Sequence, residues 1–162
     1  MMEIYLLRHG IAENAGPGMK DSDRALTQEG RDKLRRVLKR AKAAGVQPGV
    51  ILSSPYRRAL QTAEIAAESL GYRGKVVHTE ALVPNASPRE VWEEIRARRG
   101  ESSILLASHE PLMSSTLALL LGSPALLVDM KKAALARVDC DRFGAEPRGL
   151  LKWMLTPATA GE

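Results

Sequence analysis

Four short apolar runs, each leading into a segment with a helix-start signal, constrain this chain more than any other feature. The runs are residues 3–7, Gly49-Val50-Ile51-Leu52-Ser53, Lys75-Val76-Val77-His78 and Ser103-Ile104-Leu105-Leu106-Ala107. Short apolar runs of that length read as strands, the first of them buried. The segments after them carry helical signals. Thr27 caps a helix to about Ala44 with Leu34, Val37, Leu38 and Ala41 on one face, and Gly45 ends it. Ser54 reads as an N-cap with Pro55 at the first helical position, ahead of a stripe of Ala59, Ala63, Ala66 and Leu70 stopped by Gly71. Ser87-Pro88-Arg89-Glu90 forms a capping box for a helix that turns Val91, Trp92 and Ile95 inward and ends near Gly100. Pro111 opens a helix over 111–121, closed by Gly122.

Strands alternating with helices predict an α/β fold, a single three-layer domain with a mostly parallel central sheet and right-handed crossovers. Two further strands, 134–139 and 150–155, are joined by a turn at Arg142-Phe143-Gly144. The expected domain spans 1–156, and 157–162 reads as a frayed tail. Residues 11–26 form a loop long enough to invite a functional explanation.

A chain of 162 residues suits one such domain. The net charge of +5 points to anionic partners without choosing among them. Aromatic residues make up only 4% and interleave with no basic run, which argues against a nucleic-acid stacking platform. One cysteine, Cys140, excludes an intrachain disulfide and suits a reducing, cytoplasmic setting. No stretch resembles a signal peptide or a membrane span.

In open α/β sheets, ligands bind outside the carboxyl ends of the strands. Three motifs fall there: Arg8-His9 after the first run, Ser54-Pro55-Tyr56-Arg57-Arg58 after the second, and Ser108-His109 after the fourth. Helix N-termini favour anions, and arginine forks fit phosphate oxygens. The guest those groups suit is a phosphoryl group. A neutral imidazole is a competent nucleophile, while arginines offset charge on the equatorial oxygens in the transition state. No P-loop, acidic metal cluster or Walker-type lysine appears, so the expected chemistry needs no metal and no cofactor.

Leu7-Arg8-His9-Gly10, Asp23 through Gly30, Ser53 through Ala63, and Ser108-His109 together resemble the histidine phosphatase superfamily, the phosphoglycerate-mutase-like fold. The resemblance spans nearly the whole chain. It implies His9 as the nucleophile that becomes phosphohistidine, with Arg8, Arg58 and His109 completing the phosphate pocket. Arg58 is chosen over Arg57 because the family's arginine directly precedes the Ala of the Arg-Ala-x-x-Thr segment. Only 21 residues separate Arg58 from Glu80, and 28 separate Glu80 from His109, leaving little material for a lid. The compact size, Leu82-Val83-Pro84 and the basic surface look most like the SixA-type phosphohistidine phosphatases.

Other residues carry weaker signals. Arg24 reaches the phosphate from the long loop, or pairs with Asp21 or Asp23 as a surface salt bridge. The family's general acid is expected where Ala81 stands, with Glu80 one step earlier and, in extended chain, on the opposite face. A P–N bond to imidazole needs less acid help than an alcohol ester, so an absent acid favours phosphohistidine. His78 reads as an ordinary strand-end residue. Lys131 and Lys132 read as a solvated turn that could steer an acidic partner domain. Cys140, within Asp139-Cys140-Asp141, reads as a small buried hydrophobe.

The expected activity is removal of phosphate from phosphohistidine on a phosphotransfer protein, through phospho-His9 and then water. A broad-specificity phosphomonoesterase acting on small phosphorylated substrates, and a phosphate-binding regulatory module without turnover, are the alternatives. Neither nucleic acid nor membrane is an expected partner.

Overall fold

The computed structural model describes residues 1–161. In chain order its elements are β1 (Met2–Arg8), α1 (Gln28–Ala43), β2 (Val50–Ser53), α2 (Arg57–Leu70), β3 (Val76–His78), α3 (Pro88–Arg96), β4 (Ser103–Ser108), α4 (Leu112–Leu120), β5 (Leu135–Cys140) and β6 (Leu150–Leu155). One-turn 3-10 helices lie at Asp21–Asp23 and Glu80–Leu82. The six strands form one sheet in the order β3-β2-β4-β1-β5-β6. The first four run parallel, while β5 is antiparallel to β1 and β6 is antiparallel to β5.

Alternation along the strands sorts side chains into two cores. Ile4, Leu6, Leu52, Ile104 and Leu106 face α3 and α4, where Trp92, Ile95, Met113 and Leu117 meet them. Tyr5, Leu7, Ile51, Leu105 and Ala107 face α1 and α2, against Leu34, Leu38, Ala63 and Ala66. Two helices on each side of a sheet make the expected three-layer α/β architecture. Both faces of β1 and β4 are covered, which explains why those runs are apolar throughout.

The local signals hold in part. Thr27 Oγ1 accepts from the Gly30 amide at 2.9 Å, and Ser87 with Glu90 forms the reciprocal capping box. Two helix starts differ from expectation. Pro55 is not the first helical residue: α2 begins at Arg57, and Ser54 Oγ instead accepts from the Tyr56 amide at 3.2 Å. Pro111 is the N-cap of α4 rather than its first residue. The Ser54 hydroxyl also meets His109 Nε2 at 2.8 Å, and at α4 the Glu110 carboxylate accepts the Ser114 amide at 2.6 Å.

The β5–β6 connection is a pinned segment rather than a simple turn. Phe143 stacks on Trp92 with ring centroids 5.9 Å apart, and the Gly144 carbonyl accepts from Trp92 Nε1 at 3.0 Å. Arg96 Nε donates to the Phe143 carbonyl at 2.9 Å. Cys140 is buried, as its surroundings suggest. After β6, Thr156 and Thr159 close a turn, and Ala160 packs on the second core.

Candidate active site

The parallel strands β1, β2 and β4 end side by side, and that edge places the three motifs together. His9 follows β1, its amide donating to the Ser108 carbonyl at 2.9 Å and its own carbonyl accepting from Ala133 at 3.1 Å. Gly10 continues the turn, its amide donating to Thr62 Oγ1 at 3.2 Å, while Thr62 Oγ1 donates to the Arg58 carbonyl at 2.8 Å. A Cβ at Gly10 would lie 3.2 Å from the Gly30 carbonyl oxygen and 3.4 Å from Leu26, so close approach of the α1 start favours glycine here.

The orientation of His9 follows from its two ring nitrogens. Nδ1 lies 2.7 Å from the Gly10 carbonyl oxygen, an acceptor only, so Nδ1 carries the proton. Nε2 is left with its lone pair, and Arg58 Nε approaches it at 3.4 Å as a donor. Burial pushes the His9 pKa down to about 4, helped by Arg58, Arg8 and Lys132 and opposed by the Gly10 hydrogen bond. At neutral pH His9 is therefore an uncharged imidazole with a fixed tautomer.

His109 stands edge-on to His9, ring centroids 5.2 Å apart, with Tyr56 edge-on at 5.1 Å from its other side. Burial pushes it down to about 3, with His9 and Arg58 adding to the effect and Asp21 opposing it. Its Nε2 sits 2.8 Å from Ser54 Oγ. That hydroxyl also accepts the Tyr56 amide; where it donates its own proton to Nε2, the imidazole proton lies on Nδ1. Nδ1 is buried with no partner.

Arg8 shows the same kind of vacancy among donors. One guanidinium NH (Nη1) donates to the Met130 carbonyl at 2.8 Å, while Nε is buried and unpartnered. Buried polar atoms without partners are rare in folded proteins and call for an explanation. Here two of them belong to residues flanking His9. Arg58 is 6% exposed; its Nη1 donates to the Asp21 carbonyl at 2.9 Å and its Nη2 to Asp21 Oδ2 at 3.1 Å. Its guanidinium carbon also lies 5.2 Å from the centre of the Tyr56 ring.

Arg8, His9, Arg58 and His109 thus share one edge of the sheet. Arg24 joins them at one remove: Nη1 binds Asp21 Oδ1 at 2.9 Å and Nε binds the Glu13 carbonyl at 2.6 Å. The salt bridge to Asp21 is therefore present, and Asp21 links Arg24 to Arg58. Arg57 points away, with one contact to the Asp23 carbonyl at 3.4 Å. Exposed Glu80 opens the 3-10 turn after β3, whose Leu82 is buried, and makes no side-chain hydrogen bond or ion pair among the described residues. No group of three or more His, Cys, Asp or Glu side chains among the described residues could hold a metal ion.

Sequence reasoning treated Asp21 only as a partner for Arg24, Ser54 only as a helix cap, and gave Thr62 and Glu110 no role. Glu110 directly follows His109; its Oε1 accepts the Ser114 amide at 2.6 Å, occupying the start of α4, and its charge acts on Arg8. That helix end is therefore not free for phosphate. Adjacency to His109 was the available signal for Glu110. Nothing in the local sequence marks Asp21, which meets Arg58 across 37 residues of chain.

Comparison with known proteins assigns this edge to a family. The model of the histidine phosphatase superfamily (branch 1) matches residues 4–83. An uncharacterised protein of Picosynechococcus is 33% identical over 138 residues, covering 83% of this chain and 82% of its own. The chain belongs to the histidine phosphatase superfamily. Within it, the chain is of the SixA type. The phosphohistidine phosphatase SixA of Escherichia coli is 29% identical over 160 residues, 96% of this chain and 94% of that one. The structure of a protein histidine phosphatase SixA complexed with tungstate superposes with a TM-score of 0.85 at 28% identity, covering 97% of this chain and 98% of that one. The matched residues 4–83 include Arg8, His9, Arg24 and Arg58, while His109, directly after β4, lies beyond them.

Proposed function

We propose that this phosphatase removes the phosphoryl group from phosphohistidine borne on a protein, through a covalent phospho-His9 intermediate. The observation that carries the reading is the neutral, oriented His9 Nε2 flanked by two buried donors without partners, Arg8 Nε and His109 Nδ1. The donors suit an anionic tetrahedral group held against the imidazole, and a similar SixA is known with tungstate.

In the first step His9 Nε2 attacks phosphorus and the P–N bond to the substrate imidazole breaks, its electron pair returning to that nitrogen; the proton on the substrate's other ring nitrogen lets the imidazole leave neutral. The new imidazolium keeps its Nδ1 proton on the Gly10 carbonyl, which supports the positive charge that forms. Arg58 Nε, released from the His9 lone pair, turns its proton to a phosphoryl oxygen. Arg8 and His109 donate to the remaining oxygens as charge spreads over them. In the second step water attacks phosphorus, inorganic phosphate leaves and His9 regains its lone pair. Arginine and imidazole donors supply the electrostatics that a metal ion supplies elsewhere. The exposed, unpaired Glu80 fits a substrate whose imidazole leaving group needs little acid help.

The test is turnover of a chemically phosphorylated histidine protein beside a panel of phosphomonoesters, with His9→Ala as the blank. Rapid His9-dependent loss of phosphohistidine with feeble ester hydrolysis is expected. Strong ester hydrolysis would replace this reading with a small-molecule phosphatase. Phosphate binding without turnover of either would make the pocket a recognition module.

A further inference from the structure

The loop between α4 and β5 exposes apolar side chains beside the phosphate pocket. Leu127 is 95% exposed and Leu126 46%, where leucines are ordinarily covered. They form one wall of a cleft of about 590 Å³ whose other wall is Pro111, Ser114 and Ser115 at the start of α4. Arg8, His9, Arg58 and His109 do not line that cleft, but its walls adjoin them along the chain at both ends. Pro111 lies two residues past His109, and the loop runs through Asp129 to Met130, whose carbonyl holds Arg8. On the other side of Arg8 a second cleft of about 540 Å³ is lined by Arg8 itself with Lys33, Lys131 and Lys132. Lys131 is paired with Asp129 and Lys33 with Glu29, leaving Lys132 as the lysine of this rim without an ion pair among the described residues.

We propose that the Leu126-Leu127 ridge and the Lys132 rim dock the protein that carries the phosphohistidine. The apolar ridge covers an apolar patch beside its phosphorylated side chain, and the lysine side meets acidic residues. This rests on the function proposed above. A small phosphorylated molecule fills the donors around His9 and has no use for an apolar ridge outside the pocket. A protein-borne phosphate brings its surroundings with it, and an exposed apolar patch rimmed by charge is the surface that recognises them. Exposed leucines elsewhere, Leu150 and Leu151 on the edge strand β6, adjoin none of these residues along the chain.

The experiment measures kcat and KM on two substrates: a histidine protein phosphorylated with phosphoramidate, and free phosphohistidine. The double variant L126S/L127S is compared with the wild type and with L150S/L151S. Docking predicts that L126S/L127S raises KM for the phosphoprotein about 10-fold or more, an interface loss of about 1.4 kcal/mol, with free phosphohistidine unchanged within about 2-fold. Lys132→Glu raises the same KM and flattens its salt dependence. The control pair leaves both substrates unaffected. Equal losses on both substrates, or none on the phosphoprotein, would overturn the proposal. A wild-type dimer that L126S/L127S splits without changing KM would also overturn it, in favour of a contact between copies of this chain. Absence of wild-type turnover on both substrates would instead strike the function proposed above.

Discussion

Asp21 is seated on Arg58, its carbonyl oxygen 2.9 Å from Nη1 and its carboxylate Oδ2 3.1 Å from Nη2. The other carboxylate oxygen takes Arg24 at 2.9 Å. One residue of the long first loop thus occupies donors of the arginine that also reaches His9. Arg24 and Arg58 hold the Asp21 carboxyl below its ordinary range, so it is charged at neutral pH. It lowers the positive charge of the pocket proposed to bind the phosphoryl group.

Asp21→Asn keeps the shape and one acceptor but removes that charge. Inorganic phosphate should then inhibit at about 3- to 5-fold lower concentration, a modest gain because the carboxylate is largely solvated. Competitive inhibition by phosphate and vanadate measures it. An unchanged inhibition constant would show that the carboxylate is not felt at the pocket.

Arg58→Lys tests the fork rather than the charge. Lysine cannot donate at once to His9 and twice to Asp21, so the transition state loses aligned donors while the net charge stays the same. A fall in kcat of about 10²- to 10³-fold is expected, with the melting temperature nearly unchanged. Recovery of most activity in the lysine variant would mean that a point charge suffices.

Acid should weaken the fold and the enzyme together. His9 titrates near pH 4 and His109 near pH 3 when folded, whereas an unfolded histidine titrates near 6.5. Between those values the unfolded chain binds protons that the folded chain refuses. The stabilisation is therefore present above pH 6.5 and lost as pH falls toward 4 and then 3. The loss amounts to about 1.4 kcal/mol per pH unit for each group. Chemical denaturation from pH 7.5 to 4.5 should show this slope, reduced in His9→Ala. The acid limb of kcat/KM should lie near pH 4 rather than 6.5, because neutral His9 is the reactive form. A limb at 6.5 would show that the imidazole is solvated in the working enzyme.

Gly30→Ala should damage stability out of proportion to one methyl group. A Cβ there would lie 2.2 Å from the Ile11 carbonyl oxygen and 2.9 Å from the Ile11 amide, so the first turn of α1 or the loop must move. A loss of about 3 kcal/mol is expected from such overpacking. Gly16→Ala, where nothing lies within 4 Å, should fall within about 0.5 kcal/mol of wild type. Thermal unfolding of both variants distinguishes packing from helix propensity, which alone would favour alanine at position 30.

The sequence by itself determined the α/β class, the six strands and the edge at which Arg8, His9, Arg58 and His109 meet. It could do so because two-sided burial writes apolar runs into β1 and β4, and because parallel strands carry their following loops to one side. Caps with local partners, such as Thr27 to Gly30 and Ser87 to Glu90, were equally legible. Tertiary structure alone decided what lies far apart in sequence and close in space. The seat of Asp21 on Arg58, the hydroxyl of Ser54 on His109, the Met130 carbonyl on Arg8 and the Phe143–Trp92 stack belong to this class. It also decided where α2 and α4 begin: the Ser54 hydroxyl meets His109 as well as the Tyr56 amide, and Pro111 caps α4 instead of opening it. Local propensity ranks a residue's possible partners, but only packing brings one of them within 3 Å.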